Sequence, residues 1–529
     1  MLPLFWKSIF SSSVVSATLF CLGSAALAQP VELNRARQLA DIAFGYGLAN
    51  RADKAMPLLE QAATYEGGDC FEATAWLKIG VGYQAVNQPD KAEEFFTRAV
   101  EIARERTLEN CASSATSPEE SLLNRANNYA EAGHLDLALT IANRVEHLFQ
   151  PITMVKIAGE FYDAGQQAEA EQLVTQAIET AQQSPTEPMV NRMILLIAMV
   201  DQLIQLEQPE LAQLVVETSQ LQQPETFEVT NSFESALYHF QVLRLARLLV
   251  DLDQPPLALS LLDGVVPNIQ PLAEFPSDVV NNWIDAAVLY NTLGSDQAEM
   301  LWATVNNHVQ QITDPQELAS AQHSLVRGYT EMGDFEQAKT QAQAIEKTST
   351  RQAAHETIAS AYARAGQVEA ANSLVQSMGN PQSVWISLVR AYLETEKYDQ
   401  AEELARQLVP QPDMSNAIST VGRTYCNDGL PERVVPLIDL SPSADGLRSC
   451  AAIAFAEQGE IDKALQLTQA ITAPESQAST LVAIAAQCTT DQVAWQRLIG
   501  WLPKSVKTWL GVCDSAKAVE LLDQALELI

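Results

Sequence analysis

One spacing recurs along the chain and limits what it can fold into. A small residue is followed three positions later by an aromatic. Gly, Asn or an acid comes four residues after the aromatic, and Ala five further on. The fullest copy is Trp76, Gly80, Tyr83, Asn87, Ala92, Phe96 and Ala99. Others are Ala126, Tyr129, Gly133, Ala138; Ala359, Tyr362, Gly366, Ala371; and Trp385, Val389, Tyr392, Glu396, Ala401. Residues three and seven before the aromatic share its face on a 3.6-residue helix. The small one admits a neighbouring helix, the aromatic fills the gap between paired helices, and the Gly ends the first helix in the left-handed conformation. The Ala then marks the line along which a second helix touches the first.

Taking the aromatic as anchor, the series runs Tyr46, Tyr83, Tyr129, Phe161, Tyr290, Tyr329, Tyr362, Tyr392, Tyr425 and Phe455, with Leu203 and Leu249 in the same role. Ala stands nine residues on at Ala55, Ala92, Ala138, Ala170, Ala212, Ala258, Ala338, Ala371, Ala401 and Ala464, and Ala298 takes the place in a shortened turn after Tyr290. Ile484 and Trp509 anchor two degenerate terminal copies. One hairpin cannot bury its own apolar face, so each needs neighbours. With 529 residues the chain exceeds what one compact core organises. Its 22 glycines, about 4%, fall below the usual ~7%, and its Ala, Leu, Gln and Glu favour helix. An all-α chain of repeated hairpins is expected.

At these residues the chain resembles the tetratricopeptide-repeat family, over roughly residues 35 to 475. Trp76, Gly80, Tyr83, Ala92, Phe96 and Ala99 carry nearly the whole signature. The resemblance implies a right-handed superhelical α-solenoid of about twelve or more hairpins, which binds proteins or peptides along its concave face. The proline that usually closes such repeats is mostly missing. Anchor spacing runs 37, 46, 32, 42, 46, 41, 39, 33, 30, 33 and 30 residues, against about 34 in the family. Two parts are therefore expected, a loose one over 29–270 and a tighter one over 271–529, broken at Ile269–Ser277 where Pro271 and Pro276 fall.

The amino-terminal 28 residues read as an export signal. Lys7 gives a positive end, Val14 to Leu22 an apolar stretch, and Ala26-Leu27-Ala28 a cleavage site before Gln29. An uncleaved anchor is the rival reading, but the run is short and serine-rich against a span of about 20 residues. A lipoprotein site at Cys21 is disfavoured by the bulky Phe20. The expected location is periplasmic or secreted. The net charge of −34 repels phosphate backbones, which argues against nucleic-acid partners; otherwise it serves the solubility of a long helical surface.

Six cysteines remain after the signal, and an even number in an exported chain invites disulfides. Cys70 and Cys111 flank the best-matched hairpin at its outer ends and form the first pairing. Cys488 and Cys513 hold matching places in successive units. Cys426 and Cys450 lie on successive first helices at different heights. The alternative is that these are small buried hydrophobes.

No catalytic or cofactor motif emerges. The histidines are scattered, and His355-Glu356 lacks the second histidine of a zinc helix because Ala359 and Ser360 stand there. Phosphate loops, dinucleotide fingerprints, nucleophile elbows and EF-hand loops are missing from the sequence, so no cofactor and no metal are expected.

One constellation stands out. The position two before the anchor points away from the packing seam, and it carries Arg247, Arg327, Arg390 and Arg423, with Arg364 two after Tyr362. Their planar forks fit carboxylates. They read either as a groove for acidic or carboxylate-ended peptides or as pairs that hold neighbouring repeats together. The Lys and Asn set of the family's carboxylate-clamp members is not reproduced. In the earlier units Leu77, Val81, Leu123 and Val155 face this side, as an apolar groove or as buried residues. The function expected is a non-enzymatic protein-interaction scaffold in the cell envelope. The alternatives are a self-associating structural solenoid and a regulatory ligand-binding subunit of an envelope enzyme complex.

Overall fold

The computed structural model describes residues 31–65, 72–105, 117–183, 189–219, 221, 232–269, 276–377, 382–408, 416–499 and 515–529. Among the described residues the chain forms 26 α-helices and no strand. The helices pair in chain order. They are α1 (Val31–Leu48) with α2 (Ala52–Ala62), α3 (Glu72–Ala85) with α4 (Pro89–Glu105), α5 (Pro118–Glu131) with α6 (Leu135–Ala142), and α7 (Gln150–Asp163) with α8 (Gln167–Gln183). Next come α9 (Met189–Gln205) with α10 (Pro209–Thr218), α11 (Ser232–Asp251) with α12 (Pro255–Val265), and α13 (Pro276–Thr292) with α14 (Gln297–Gln311). They continue as α15 (Pro315–Glu331) with α16 (Phe335–Ala344) and α17 (Thr348–Arg364) with α18 (Val368–Ser377), followed in chain order by α19 (Gln382–Glu394) and α20 (Tyr398–Leu408). The last pairs are α21 (Asn416–Asn427) with α22 (Pro431–Val434), α23 (Ala444–Glu457) with α24 (Ile461–Gln469), and α25 (Pro474–Ile499) with α26 (Ser515–Leu528). The expected all-α helical-repeat class is the class observed.

The sequence anchor has two jobs here. At the end of each first helix its carbonyl accepts the N–H of the residue five positions on. Tyr83 accepts from Gln88 at 2.9 Å and Tyr129 from His134 at 2.8 Å, and eleven turns share the bond at 2.7–2.9 Å. The residue four after the anchor donates to the carbonyl one after it, as Gly133 does to Ala130 at 2.8 Å. This is the Schellman closure, with a left-handed residue at its corner. Every residue of positive φ among those described falls at this corner, and all twelve anchors have one. Seven are glycine; the others are Asn50, Asn87, Glu207, Asp253 and Glu396, with φ of 55–58°. The residue after the corner then accepts the first bond of the second helix from the recurring Ala, as Gln88 does from Ala92 at 3.0 Å. Two consecutive bonds therefore set the nine-residue distance from anchor to Ala. After Tyr290 the second bond is one residue shorter, Ala298 to Ser295 at 3.2 Å.

Packing accounts for the small residues. A Cβ on Gly80 would lie 2.7 Å from Phe96 and 3.2 Å from the Ala92 carbonyl, so only glycine lets α3 and α4 approach this closely. In the same hairpin Phe95 stacks on Trp76 and Tyr83 at 5.6 and 5.3 Å, while Arg98 covers the outer face of Trp76. The alanines at the ninth position are buried, as are most of the anchors. Prolines open helices instead of closing repeats: Pro89, Pro209, Pro255 and Pro431 start second helices, where the missing N–H is no loss.

Contacts group the helices into two units. A central unit spans Glu119–Thr395, and a terminal unit comprises the described parts of Met1–Pro118 and Glu396–Ile529. The terminal unit thus draws on both ends of the chain, with α1 against α25 and α26.

The corner residues supply a stability test. A non-glycine residue in the left-handed region costs about 1–2 kcal/mol, part of which glycine returns through its looser unfolded state. Glu207→Gly and Glu396→Gly are each expected to stabilise the protein by roughly 1 kcal/mol, read as a higher urea midpoint. A lower midpoint in both would contradict the strain.

Candidate functional site

The five arginines expected to share one face lie on first helices, and the structure divides them by partner. In the central unit, Arg327 on α15 bonds Asp285 on α13 at 2.7 Å and Glu331 at 3.0 Å. Arg247 on α11 reaches Glu331 at 2.8 Å, two hairpins away, so first helices crowd together on this side. Arg364 bonds Glu394 of α19 at 2.9 Å. These three join one repeat to another. Arg390 is exposed and has no partner among the described residues. In the terminal unit the half-buried Arg423 likewise has none among them.

Burial pulls the Arg327 guanidinium down, but the charges of Asp285 and Glu331 outweigh it and hold its pKa above the ordinary value. Asp285 is only 16% exposed and Arg327 35%. The pair is partly shielded from water, where a lost partner is felt most.

Further polar contacts join successive repeats, most of them between first helices and one from the turn before α10 at Gln208. Arg244 pairs with Asp201, and Lys78 with Asp41. Gln208 donates to Asp163 at 2.5 Å, and His323 meets Thr357 at 3.2 Å. Ser387 donates to Glu356, and Ser449 meets Thr480 at 2.7 Å. Their positions relative to the anchor vary from repeat to repeat, so no single spacing announces them. On α5 and α7, burial raises the pKa of Glu131 and Glu160 and lowers that of Lys156, and the attraction between Lys156 and Glu131 offsets part of both shifts.

Leu77, Val81, Leu123 and Val155 are all buried, so the open apolar groove considered from the sequence is not formed there; the helices of those units cover them. A polar cleft of about 280 Å³ lies between α1, α3 and α25, lined among others by Arg37, Asp41, Lys78 and Glu475. Its basic groups are engaged, Lys78 by Asp41 and Arg37 by Thr74.

The histidines are spread over separate helices. Burial lowers the pKa of His134, His147, His239, His323 and His355, which keeps these rings neutral near pH 7. Among the described residues no group of three or more His, Cys, Asp or Glu is placed to hold a metal ion.

Cys426 on α21 and Cys450 on α23 form a disulfide with Cα atoms 6.0 Å apart. Cys488 is also disulfide-bonded. Cys70, Cys111 and Cys513 lie outside the described residues, as does the segment 1–28 read as an export signal.

Comparison with known proteins agrees with the repeat. The tetratricopeptide-repeat pattern matches residues 73–106, the hairpin α3–α4. None of the curated proteins matches the sequence. Among solved structures the chain is similar to Ton1535 from Thermococcus onnurineus NA1, at 12% identity over 82% of this chain and 95% of that one, with a TM-score of 0.18. It is similar to Naa15/Naa10 bound to HypK-THB, at 14% identity over 94% of this chain and 75% of that one, TM-score 0.19. A monomeric IFIT1 mutant with Gppp-AAAA gives 14% identity over 94% and 95%, TM-score 0.21. The chain thus carries one tetratricopeptide repeat at α3–α4, within an all-helical repeat fold that keeps one turn geometry at all twelve anchors.

The division among the arginines has a direct consequence. Arg327→Ala strands the partly buried Asp285, while Glu331 keeps Arg247, and is expected to cost about 1–3 kcal/mol. Arg390→Ala is expected to change stability by less than about 0.5 kcal/mol. Guanidinium denaturation of both variants checks this, and equal losses would contradict the assignment.

Proposed function

We propose that the protein is a non-enzymatic interaction scaffold. On this reading it binds acidic or carboxylate-ended segments of other proteins on the first-helix face of the central unit, with Arg390 as the contact residue. The observation that carries this is the exposed guanidinium of Arg390, which has no partner among the described residues, on a face where Arg247, Arg327 and Arg364 are held by Glu and Asp. A free fork beside paired ones offers a carboxylate a bidentate partner at little reorganisation cost. Arg423 offers the same chemistry in the terminal unit. Stacked repeats present long surfaces and suit extended peptides better than small enclosed ligands.

Export is proposed alongside. The signal-like amino terminus supports it, and so does the Cys426–Cys450 disulfide, since such bonds persist in oxidising compartments. Protein recovered from the envelope fraction should then begin at Gln29.

Fluorescence anisotropy with labelled acidic peptides, some with free and some with amidated carboxyl ends, tests the binding reading. Arg390→Glu is expected to weaken binding about tenfold, equivalent to ~1.4 kcal/mol, with the fold intact. Unchanged affinity in Arg390→Glu, or no binding by the native chain, would contradict the proposal.

A further inference from the structure

Three contacts, made by the first helix and the turn after it, recur where consecutive hairpins dock and the sequence carries the residues for them. The first lies one residue before the anchor. A Cβ at Gly82 would come 2.4 Å from Leu59 on α2, and one at Gly328 would come 2.5 Å from Ile284 on α13 and 2.8 Å from Trp302 on α14. The second is the anchor hydroxyl. Tyr290 donates to Asp263 on α12 at 3.0 Å, and Tyr425 to Glu402 on α20 at 3.2 Å. The third is a cation eight residues after the anchor, which lies over the anchor ring and pairs with an acid of the preceding hairpin. Arg433 covers Tyr425 and bonds Glu402 at 3.4 Å. Lys463 covers Phe455 and bonds Glu432 at 2.5 Å. Apart from Ile284, each partner belongs to the second helix of the hairpin before.

Among the described residues no helix precedes α1, yet all three contacts are made there, and all fall on α26. A Cβ at Gly45, one before Tyr46, would come 2.7 Å from Leu522. The Tyr46 hydroxyl donates to Asp523 Oδ1 at 2.5 Å. Lys54, eight after Tyr46, lies over its ring at 5.4 Å and bonds Asp523 Oδ2 at 2.6 Å. First helices agree as well, since α25 packs on α1 as α1 packs on α3.

We propose that the hairpin α25–α26 is an intramolecular clasp. It serves as the preceding repeat for α1–α2, so that the two ends of the chain fold as one cooperative block. The face of α1 that a stack of repeats would otherwise offer to another copy is filled by the chain's own carboxy-terminal helix. An end hairpin left without a neighbour would fray and be cleaved readily; here the clasp protects it. Asp523 is the centre of the contact, because it alone meets both Tyr46 and Lys54.

Two experiments on the full chain test this. Zero-length carbodiimide coupling, followed by mass spectrometry of the monomer fraction, should yield a Lys54–Asp523 isopeptide within one chain. Its absence, or its presence only between copies, overturns the clasp. Limited proteolysis then reads the coupling between the ends. Asp523→Lys and Lys54→Asp should each speed cleavage within residues 31–62 by about tenfold, whereas the double reversal should return it to within about twofold of the native rate. Single reversals as resistant as the native chain, or a double reversal no better than the singles, overturn the proposal.

Discussion

The structure depends on the hydrogen bond that each anchor residue accepts on its backbone carbonyl. That bond closes the turn after the first helix and holds the residue four after the anchor in the left-handed region. It also starts the second helix at a fixed distance, with the recurring Ala in place to meet the first. Because the same residue fills the gap between helices with its side chain, turn geometry and interhelical packing are set together. A repeat can therefore vary in helix length, as the 30- to 46-residue spacing shows, while the junction between its helices stays constant. The cost appears where glycine is missing, at Glu207 and Glu396, whose side chains occupy a conformation disfavoured for L-residues.

A second constraint acts between hairpins. Apolar burial against the neighbouring hairpin is supplemented at several junctions by charged contacts, such as Arg244–Asp201, Arg327–Asp285 and Arg433–Glu402. Such pairs are individually weak in water, but here they sit beside aromatic rings and partly shielded carboxylates. In a chain of net charge −34 basic residues are scarce, and most of the described ones are tied to an acid or laid over a ring. Arg390 and Arg423 depart from that economy. Their lack of partners among the described residues is what makes them informative about binding.

Much of the fold was legible in the sequence because the repeat writes its physics into spacing. The anchor series, the corner residue and the buried Ala all appear where the periodicity puts them. The candidate face was legible only in part. The residue two before the anchor does leave the packing seam, but spacing along one helix does not tell which acid on another helix will meet it. Glu331 shows this, since it serves both Arg327 and Arg247 from different distances along the chain. The clasp was hidden for the same reason. Nothing in the order of repeats says that Asp523 will stand where the acid of a preceding hairpin should stand, because that acid comes 469 residues after the lysine it binds. The Cys426–Cys450 bond joins positions at different heights on their helices, and only the packed offset of α21 and α23 brings them together.

Amide hydrogen exchange, resolved peptide by peptide across the chain, tests the cap-and-anchor arrangement most directly. The capping amides at Arg51, Gln88, His134 and Asp334 each donate to an anchor carbonyl, and protection should therefore be comparable at the four turns, including the one that follows α1. A turn after α1 exchanging at the rate of an unstructured peptide, while the turn after α15 stays protected, would contradict it.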